Sequence, residues 1–140
     1  MPAAATYIIK SATFKSTAID GLEDVQFSDE ADEVLHNHDG SITATACFLD
    51  NLRGGCTVTC RNQSLFGTAN FAEGSNGALV IVMQKRAAGK GAVAGQDKTL
   101  TAADATLISR SGNAPHSDRG SLALEFRCVD PAGTAVWAVT

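Results

Sequence analysis

Residues 23–34 read EDVQFSDEADEV, and the order of polar and apolar side chains in this stretch predicts the fold. Six of its twelve residues are carboxylates, and none is a lysine or arginine. From residue 24 to residue 32, every second side chain is polar: Asp24, Gln26, Ser28, Glu30 and Asp32. Val25 and Phe27 have the other parity, so the stretch fits a strand with one exposed and one buried face. A helix is disfavoured because Ser28 and Asp29 occupy the positions three and four residues after Val25, which leaves no apolar stripe.

Two acidic residues do not follow this alternation. Asp29 and Glu33 share the parity of Val25 and Phe27, so a regular strand would turn both toward the core. Either they lie beyond the core, near the tip of a hairpin, or a β-bulge shifts the phase of the strand.

Length and composition suit a single domain. The chain has 140 residues, 44% of them hydrophobic, which is enough for one core and one domain over residues 1–140. Thirteen glycines and the lack of long helical periodicity indicate a β-rich domain with many turns. The longest apolar run, 78–83, is far shorter than the roughly 20 residues of a membrane helix, and the start MPAAATYIIK has no basic region. We therefore expect neither a membrane span nor a signal peptide, and four cysteines without such a signal leave the redox compartment open.

The charge is unevenly distributed along the chain. Between Lys15 and Arg53 there is no lysine or arginine, although nine of the fifteen acidic residues fall there. A basic stripe that could hold phosphates is missing from this part of the chain. Ordinary nucleic-acid binding is therefore disfavoured.

Further strands are predicted on both sides of the acidic stretch. Before and just after it, the predictions are an N-terminal strand or arm at 1–14, a hairpin turn at 36–41 (HNHDGS), a return strand at 41–50, a turn at 53–55 (RGG) and a strand at 56–62. Later in the chain they are a strand at 77–84 (GALVIVMQ), whose continuous apolar run suits burial on both faces, a hairpin of 98–111 with 120–130, and a last strand at 134–140.

One helix and one long loop complete these predictions. Residues 62–74 (NQSLFGTANFAEG) have Leu65, Ala69 and Ala72 at helical spacing and end in Gly74, so they predict a short α-helix. Residues 85–98 mix four cations with glycine and alanine and predict an exposed, mobile loop.

Several patterns that resemble chemical sites have simpler explanations. His36, His38 and Asp39 could approach a metal ion, but a complete ligand set is not evident, and polar residues are usual in a hairpin turn. The segment HSDRG at 116–120 contains Ser, His and Asp without a strained nucleophile turn. Neither GKGAVAG at 89–95 nor SDEADE at 28–33 has the pattern of a known phosphate or calcium loop. We expect no catalytic residue, metal or cofactor.

Two longer segments resemble the tail tube proteins of bacteriophages with contractile tails. Residues 18–60 (AIDGLEDVQFSDEADEVLHNHDGSITATACFLDNLRGGCTVTC) resemble the amino half of that family, in which an acidic strand leads to a DG hairpin and a glycine-bounded return. The carboxyl half agrees through the short helix, GSNGALVIVMQ, KTLTAADATLISRS and PHSDRGSLALEFRC. The resemblance extends over about residues 6 to 130 and rests on strand, turn and acid patterns. The four cysteines depart from the pattern.

The resemblance implies a fold, an assembly and a location. Tail tube proteins are antiparallel β-sandwiches or barrels with one short α-helix, and they form stacked hexameric rings with a continuous inner β-barrel. If each subunit lends four strands, the barrel closes at a diameter of roughly 50 Å between backbones, which admits a DNA duplex. The resemblance implies that the acidic strand lines this channel, with Asp24, Gln26, Ser28, Glu30 and Asp32 facing the lumen. The implied partners are a tail sheath outside and a tape-measure protein and DNA in the lumen without specific binding, in a virion assembled in the host cytoplasm.

The cysteines leave two alternatives open. Cys56 and Cys60 lie about 13 Å apart along a straight strand, too far to bond each other. Cys47, Cys56, Cys60 and Cys128 are therefore either small buried hydrophobes or partners in disulfides and cross-links between subunits that form after release.

Other classes of function remain open at this point. The chain could be a non-enzymatic β-sandwich that binds a ligand or decorates a capsid, although its aromatic residues are too dispersed for a sugar-binding platform. It could also be the tube of a phage-like injection or secretion system, which the sequence separates poorly from a phage tail.

Overall fold

The computed structural model describes residues 6–38, 40, 42–86, 95–133 and 135–140, and this part of the chain is mainly β. Its strands are β1 (Thr6–Phe14), β2 (Thr17–Ala18), β3 (Leu22–His36), β4 (Ala46–Cys60), β5 (Asn76–Arg86), β6 (Lys98–Asn113), β7 (Ser121–Val129) and β8 (Ala138–Val139). They form one antiparallel sheet in the order β2-β1-β5-β6-β7-β4-β3, with β8 paired to β6. The predicted mainly β, antiparallel architecture is confirmed at this level.

The sheet curls around one hydrophobic core. Phe14 on β1 and Phe126 on β7 belong to strands three places apart in the sheet, yet their ring centroids are 4.8 Å apart. Phe71 packs on Phe14 at 5.8 Å and closes one end of the core. Alternate residues of β4 and β7 point into this core and are fully buried, as in Val58 and Leu124. The period-two pattern of apolar residues therefore determines which face of each strand is inside.

The predicted α-helix at 62–74 is wrong, because the segment forms two 3₁₀ turns, Gln63–Gly67 and Ala69–Phe71. Thr68 separates them in an extended conformation, with φ −87° and ψ 135°. Its amide donates to the carbonyl of Leu65 at 3.1 Å, a bond that closes the first turn. Leu65 and Phe71 are buried, so their packing on the sheet overrides the helical spacing.

The turn predicted at 53–55 is also wrong, since β4 runs unbroken from Ala46 to Cys60. Gly54 serves close packing instead. A Cβ atom at this position would lie 2.7 Å from Cγ1 of Val136 and 2.9 Å from Nε1 of Trp137, where the C-terminal segment crosses β4. The return strand begins at Ala46, later than the predicted start at residue 41.

Other boundaries shift by a few residues. β5 extends to Arg86 and β6 begins at Lys98, so both ends of the basic loop predicted at 85–98 belong to strands. The remainder of that loop over 87–94 lies outside the described residues, as do residues 1–5, 39, 41 and 134. The last strand, predicted at 134–140, is reduced to Ala138–Val139. Within the described residues, no helix has the length and apolar character needed to cross a membrane.

The crossing at Gly54 leads to a prediction about stability. Gly54→Ala should lower the free energy of unfolding by about 1–3 kcal/mol, because Val136 and Trp137 must move away from the added methyl group. Gly67→Ala is the matched control, since a Cβ atom there meets no heavy atom within 4 Å. Urea denaturation of both variants measures the difference. Equal stability of the two variants would contradict the tight crossing.

Candidate functional site

The five polar residues predicted to line a channel lie on one face of β3, and we call Asp24, Gln26, Ser28, Glu30 and Asp32 the acidic row. All five are exposed. In the pairing of β3 with β4, Gln26 lies opposite Thr57, whereas the next pair, Val25 with Val58, points to the other face. Val58 is fully buried, so the acidic row points away from the core. Phe27, predicted on the buried face, has the core-side parity but is 46% exposed.

The polar face continues onto the neighbouring strands. Thr57 and Gly55 of β4 lie opposite Glu125 and Arg127 of β7, on the same side of the sheet as the acidic row. Gly55 has no side chain to fill the space between β3 and β7, and an open groove of about 330 Å³ lies over it. The result is a hydrated surface, several strands wide, in which carboxylates outnumber cations.

Arg53 modifies the predicted acid-only surface. It lies opposite Glu30 in β4, with NH2 at 3.5 Å from Glu30 and NH1 at 3.2 Å from Asp32. Hydrogen bonds from the side chains of Asn51 and Arg53 lower the pKa of Asp32. This carboxylate therefore contributes stability above its ordinary pKa, and the contribution is lost as the pH falls through the lowered value. The ion pairs of Arg53 with Glu30 and Asp32 could not be predicted from the sequence. In the sequence, Arg53 is only the first cation after the acidic segment.

A β-bulge separates the base of the hairpin from its outer part. The register shifts between Glu30 and Asp32, and on β4 the extra residue is at Asn51, which has a positive φ of 53°. Because the extra residue is on β4, the alternation of β3 itself is unchanged. Asp29 and Glu33 thus do lie on the core-side parity, and both are exposed. Glu33 lies beyond the core, whereas Asp29 is level with Gly54 and Cys128, at the last pair between β4 and β7.

The outer part of the hairpin projects past the rest of the sheet. β4 pairs with β7 only from Gly54 to Cys60, so residues 31–36 of β3 and 46–53 of β4 extend beyond it, and we call these residues the hairpin extension. Its large apolar side chains are exposed: Val34, Leu35, Phe48, Leu49 and Leu52, with Leu49 at 66%. Both faces of the ribbon carry such residues, because Leu35 and Leu49 point to the core side while Val34 and Phe48 point to the side of the acidic row.

The two edges of the hairpin extension are also open. Among the described strands, β3 forms ladder hydrogen bonds only with β4, and the outer part of β4 forms them only with β3. A two-stranded ribbon is marginally stable alone, and an exposed apolar edge is a template for pairing with another chain. The hairpin extension therefore has the properties of a surface that is covered in an assembly.

The structure distinguishes the four cysteines. Cys56, Cys60 and Cys128 are buried and Cys47 is exposed, and all four are free thiols. Burial raises the pKa of Cys56 to about 12 and that of Cys128 to about 11, and it also raises the pKa of Cys60. The buried-thiol alternative therefore describes three of them, because only Cys47 on the hairpin extension can reach another chain. Cross-linking through Cys47 stays a prediction.

The imidazoles considered as metal ligands contact different groups. The His36 ring meets Phe48 edge-on at 5.4 Å, while Nδ1 of His38 lies 2.7 Å from the Thr45 hydroxyl. Asp39 lies outside the described residues. Within the described ranges, no three His, Cys, Asp or Glu side chains are grouped closely enough to hold a metal ion.

Comparison with known proteins gives no identification: no protein-family model matches the sequence, and no curated protein is significantly similar to it.

Burial of the thiols leads to a prediction about their reactivity. Treatment of the folded chain with iodoacetamide at mildly alkaline pH should modify Cys47 and spare Cys56, Cys60 and Cys128, since the thiolate is the reactive form. Unfolding in denaturant should expose all four, and mass spectrometry counts the modified sites. Cys47→Ser is the control and should take up no label when folded. Native labelling of Cys56 or Cys128 as fast as Cys47 would contradict the described core.

Proposed function

We propose that the chain is the tail tube protein of a contractile-tailed bacteriophage, which forms stacked hexameric rings around a channel for DNA. The observation that carries this proposal is the acidic row, which lies on the side of a long antiparallel hairpin that faces away from the core, while the hairpin extension is apolar and open at its edges. The resemblance of residues 6–130 to that family supports the same function. A tube subunit needs a polar surface toward the channel, for which the acidic row is suited, and an apolar surface toward other subunits, for which the hairpin extension is suited.

The open edges support assembly from many copies. One subunit of this size cannot enclose a channel wide enough for DNA. The outer part of β4 has a free edge, so in a neighbouring copy it can pair with the outer part of β3 and continue the antiparallel order of the sheet. Repetition of this step covers the exposed side chains of the hairpin extension and, with further strands of each copy, closes a ring. Closure also removes the edges, as in other barrels.

An acidic lining would keep DNA moving through the tube. Duplex DNA has one negative charge per about 1.7 Å of its axis, so a basic lining would hold it at every ring and an acidic one repels it from all sides. Arg53 is the cation nearest the acidic row, and Glu30 and Asp32 both engage it. Arg53 is thus poorly placed to hold a phosphate, and DNA and tape-measure protein would pass without a specific site.

The proposal places the chain in the virion, inside a contractile sheath. A tube of a phage-like injection or secretion system would use the same two surfaces, and the two differ in whether the passenger is DNA or protein. A capsid-decorating module would instead assemble as trimers or bind as a monomer, which separates it from both.

Assembly is the first outcome to test. At high concentration the purified chain should form hexameric rings or longer tubes, because only association covers the hairpin extension. Light scattering after chromatography and electron microscopy of the same fractions measure this. Leu49→Lys should weaken association, whereas Asp20→Lys, on an exposed turn, should not. A chain that stays monomeric under all conditions, even when seeded with tail tips, would sink the proposal.

The lining can be tested by reversing its charge. Asp24→Lys combined with Ser28→Lys should leave rings intact, since both side chains are exposed, and should slow DNA ejection through new contacts with phosphates. These positions are preferable to Glu30 and Asp32, whose replacement would also unpair Arg53. The control is Asp20→Lys with Asp118→Lys, two exposed residues on loops outside the strands. Ejection from variant particles at the normal rate would mean that another surface lines the channel.

A further inference from the structure

A second apolar site lies at the end of the sheet opposite the hairpin extension. It is an open pocket of about 340 Å³ lined by Gln63, Phe66, Gly112, Asn113, Ala114 and Leu122, and we call it the end pocket. Phe66 is 51% exposed here although it is a large aromatic residue. Exposed aromatic surface in a concave site is typical of a place where another molecule inserts an apolar group.

The walls of the end pocket are held in place before any partner binds. The Gln63 amide group donates hydrogen bonds to the carbonyls of Asn113 and Ser121, which ties the first 3₁₀ turn to β6 and β7. The Arg110 guanidinium stacks on the Phe66 ring at 4.4 Å and pairs with Glu73 at 3.1 Å. A preformed pocket loses little conformational freedom on binding.

The two apolar sites lie at opposite ends of the same strands. Leu122 in the end pocket pairs with Cys60 of β4, which in turn pairs with Leu22 at the start of β3. The hairpin extension ends at the other end of β3, at His36. Fourteen residues of strand separate these levels, or about 45 Å at 3.3 Å per residue. A copy shifted along the strand direction would therefore bring the hairpin extension of one molecule onto the end pocket of the next. Such a contact joins different surfaces and repeats without closing, as in a filament.

We infer that the end pocket receives the core-side face of the hairpin extension of a second copy, with Leu35 and Leu49 as the inserted side chains and Cys47 beside them. The inference rests on the proposed function and names the surface through which one ring would stack on the next. It differs from the sideways pairing of hairpins, which would join copies within a ring.

Each of the two sites offers one side chain of opposite charge, Glu33 and Arg119, although Asp118 beside Arg119 adds a carboxylate to the end pocket. Glu33 lies opposite Leu49 on the inserted face, in a segment without lysine or arginine from Ser16 to Leu52. Arg119 lies beside the end pocket, because its carbonyl accepts a hydrogen bond from Arg61 and the next residue, Gly120, packs against Gln63. Within the described residues, the guanidinium of Arg119 takes part in no ion pair. It is therefore available to a carboxylate of the incoming copy.

The native thiol of Cys47 provides the test. Ala114→Cys places a second thiol in the exposed wall of the end pocket, so mild oxidation of the assembled full-length chain should link Cys47 of one copy to residue 114 of the next. Because each molecule then has one exposed thiol at each end, non-reducing electrophoresis should show a ladder of dimers, trimers and larger species that collapses on reduction. Two controls should give no ladder: Ala114→Cys with Cys47→Ser, and Ala132→Cys, whose exposed thiol lies at the hairpin end of the sheet.

The outcomes separate this inference from the proposed function. Rings or tubes in electron micrographs without a ladder would overturn the end pocket as the receptor while the tube function stands. A band at the dimer alone would mean that like thiols pair, Cys47 with Cys47 or residue 114 with residue 114, and would also overturn it. Monomers alone would remove both proposals together. As a second measurement, Ala114→Trp should fill the pocket, so that rings form but sedimenting tubes are lost; tubes at the wild-type level would again contradict the inference.

Discussion

The register between β3 and β4 is the constraint on which the rest of the structure depends. Val25 lies opposite Val58, and the buried side chain of Val58 holds this pair on the core side. A slip by one residue would exchange the two faces of β3 and turn Asp24 and Gln26 into the core. Burial of an unpaired carboxylate is costly enough to exclude that alternative. The hydrophobic core thus keeps a row of carboxylates on the opposite side of the sheet without any direct contact to them.

The sequence allowed prediction of features that depend on local pattern. The faces of β3 and the hairpin of β6 with β7 follow from a period of two over many residues. The strand β5 was predicted from a continuous apolar run as buried on both faces, but only Leu79 and Ile81, on one face, are fully buried. The errors arise where tertiary contacts decide. Gly54 looked like a turn residue because glycines favour turns, but its role is to let Trp137 cross, a contact between residues 83 positions apart. The helix prediction at 62–74 failed for the same reason. The conformation of the two 3₁₀ turns depends on burial of Leu65 and Phe71 against the sheet, and the spacing of apolar residues within the segment contains no information about that sheet.

The candidate site shows the same division. The parity of the acidic row could be predicted, whereas its ion pairs with Arg53 depend on a register shift at Asn51. Exposure of the hairpin extension was still harder to predict, because it depends on where the pairing of β7 with β4 stops. The last pair is Cys128 with Gly54, so β4 has no β7 neighbour before Gly54. No pattern within β3 or β4 indicates where a third strand stops. Leu49 and Phe48 therefore resemble core residues in the sequence and become surface residues only through the topology.

The position of Trp137 has a consequence for spectroscopy. It is the one tryptophan of the chain, its indole N–H donates to the carbonyl of Ser28 at 3.2 Å, and its ring lies 6.3 Å from that of Phe27. The C-terminal segment thus places the strongest intrinsic fluorophore against the base of the hairpin extension, on the face opposite to the acidic row. Indole emission depends on hydration and hydrogen bonding, so the colour and anisotropy of this single emitter report on the hairpin base without any label. The molecule contains its own optical probe at the surface through which copies would meet.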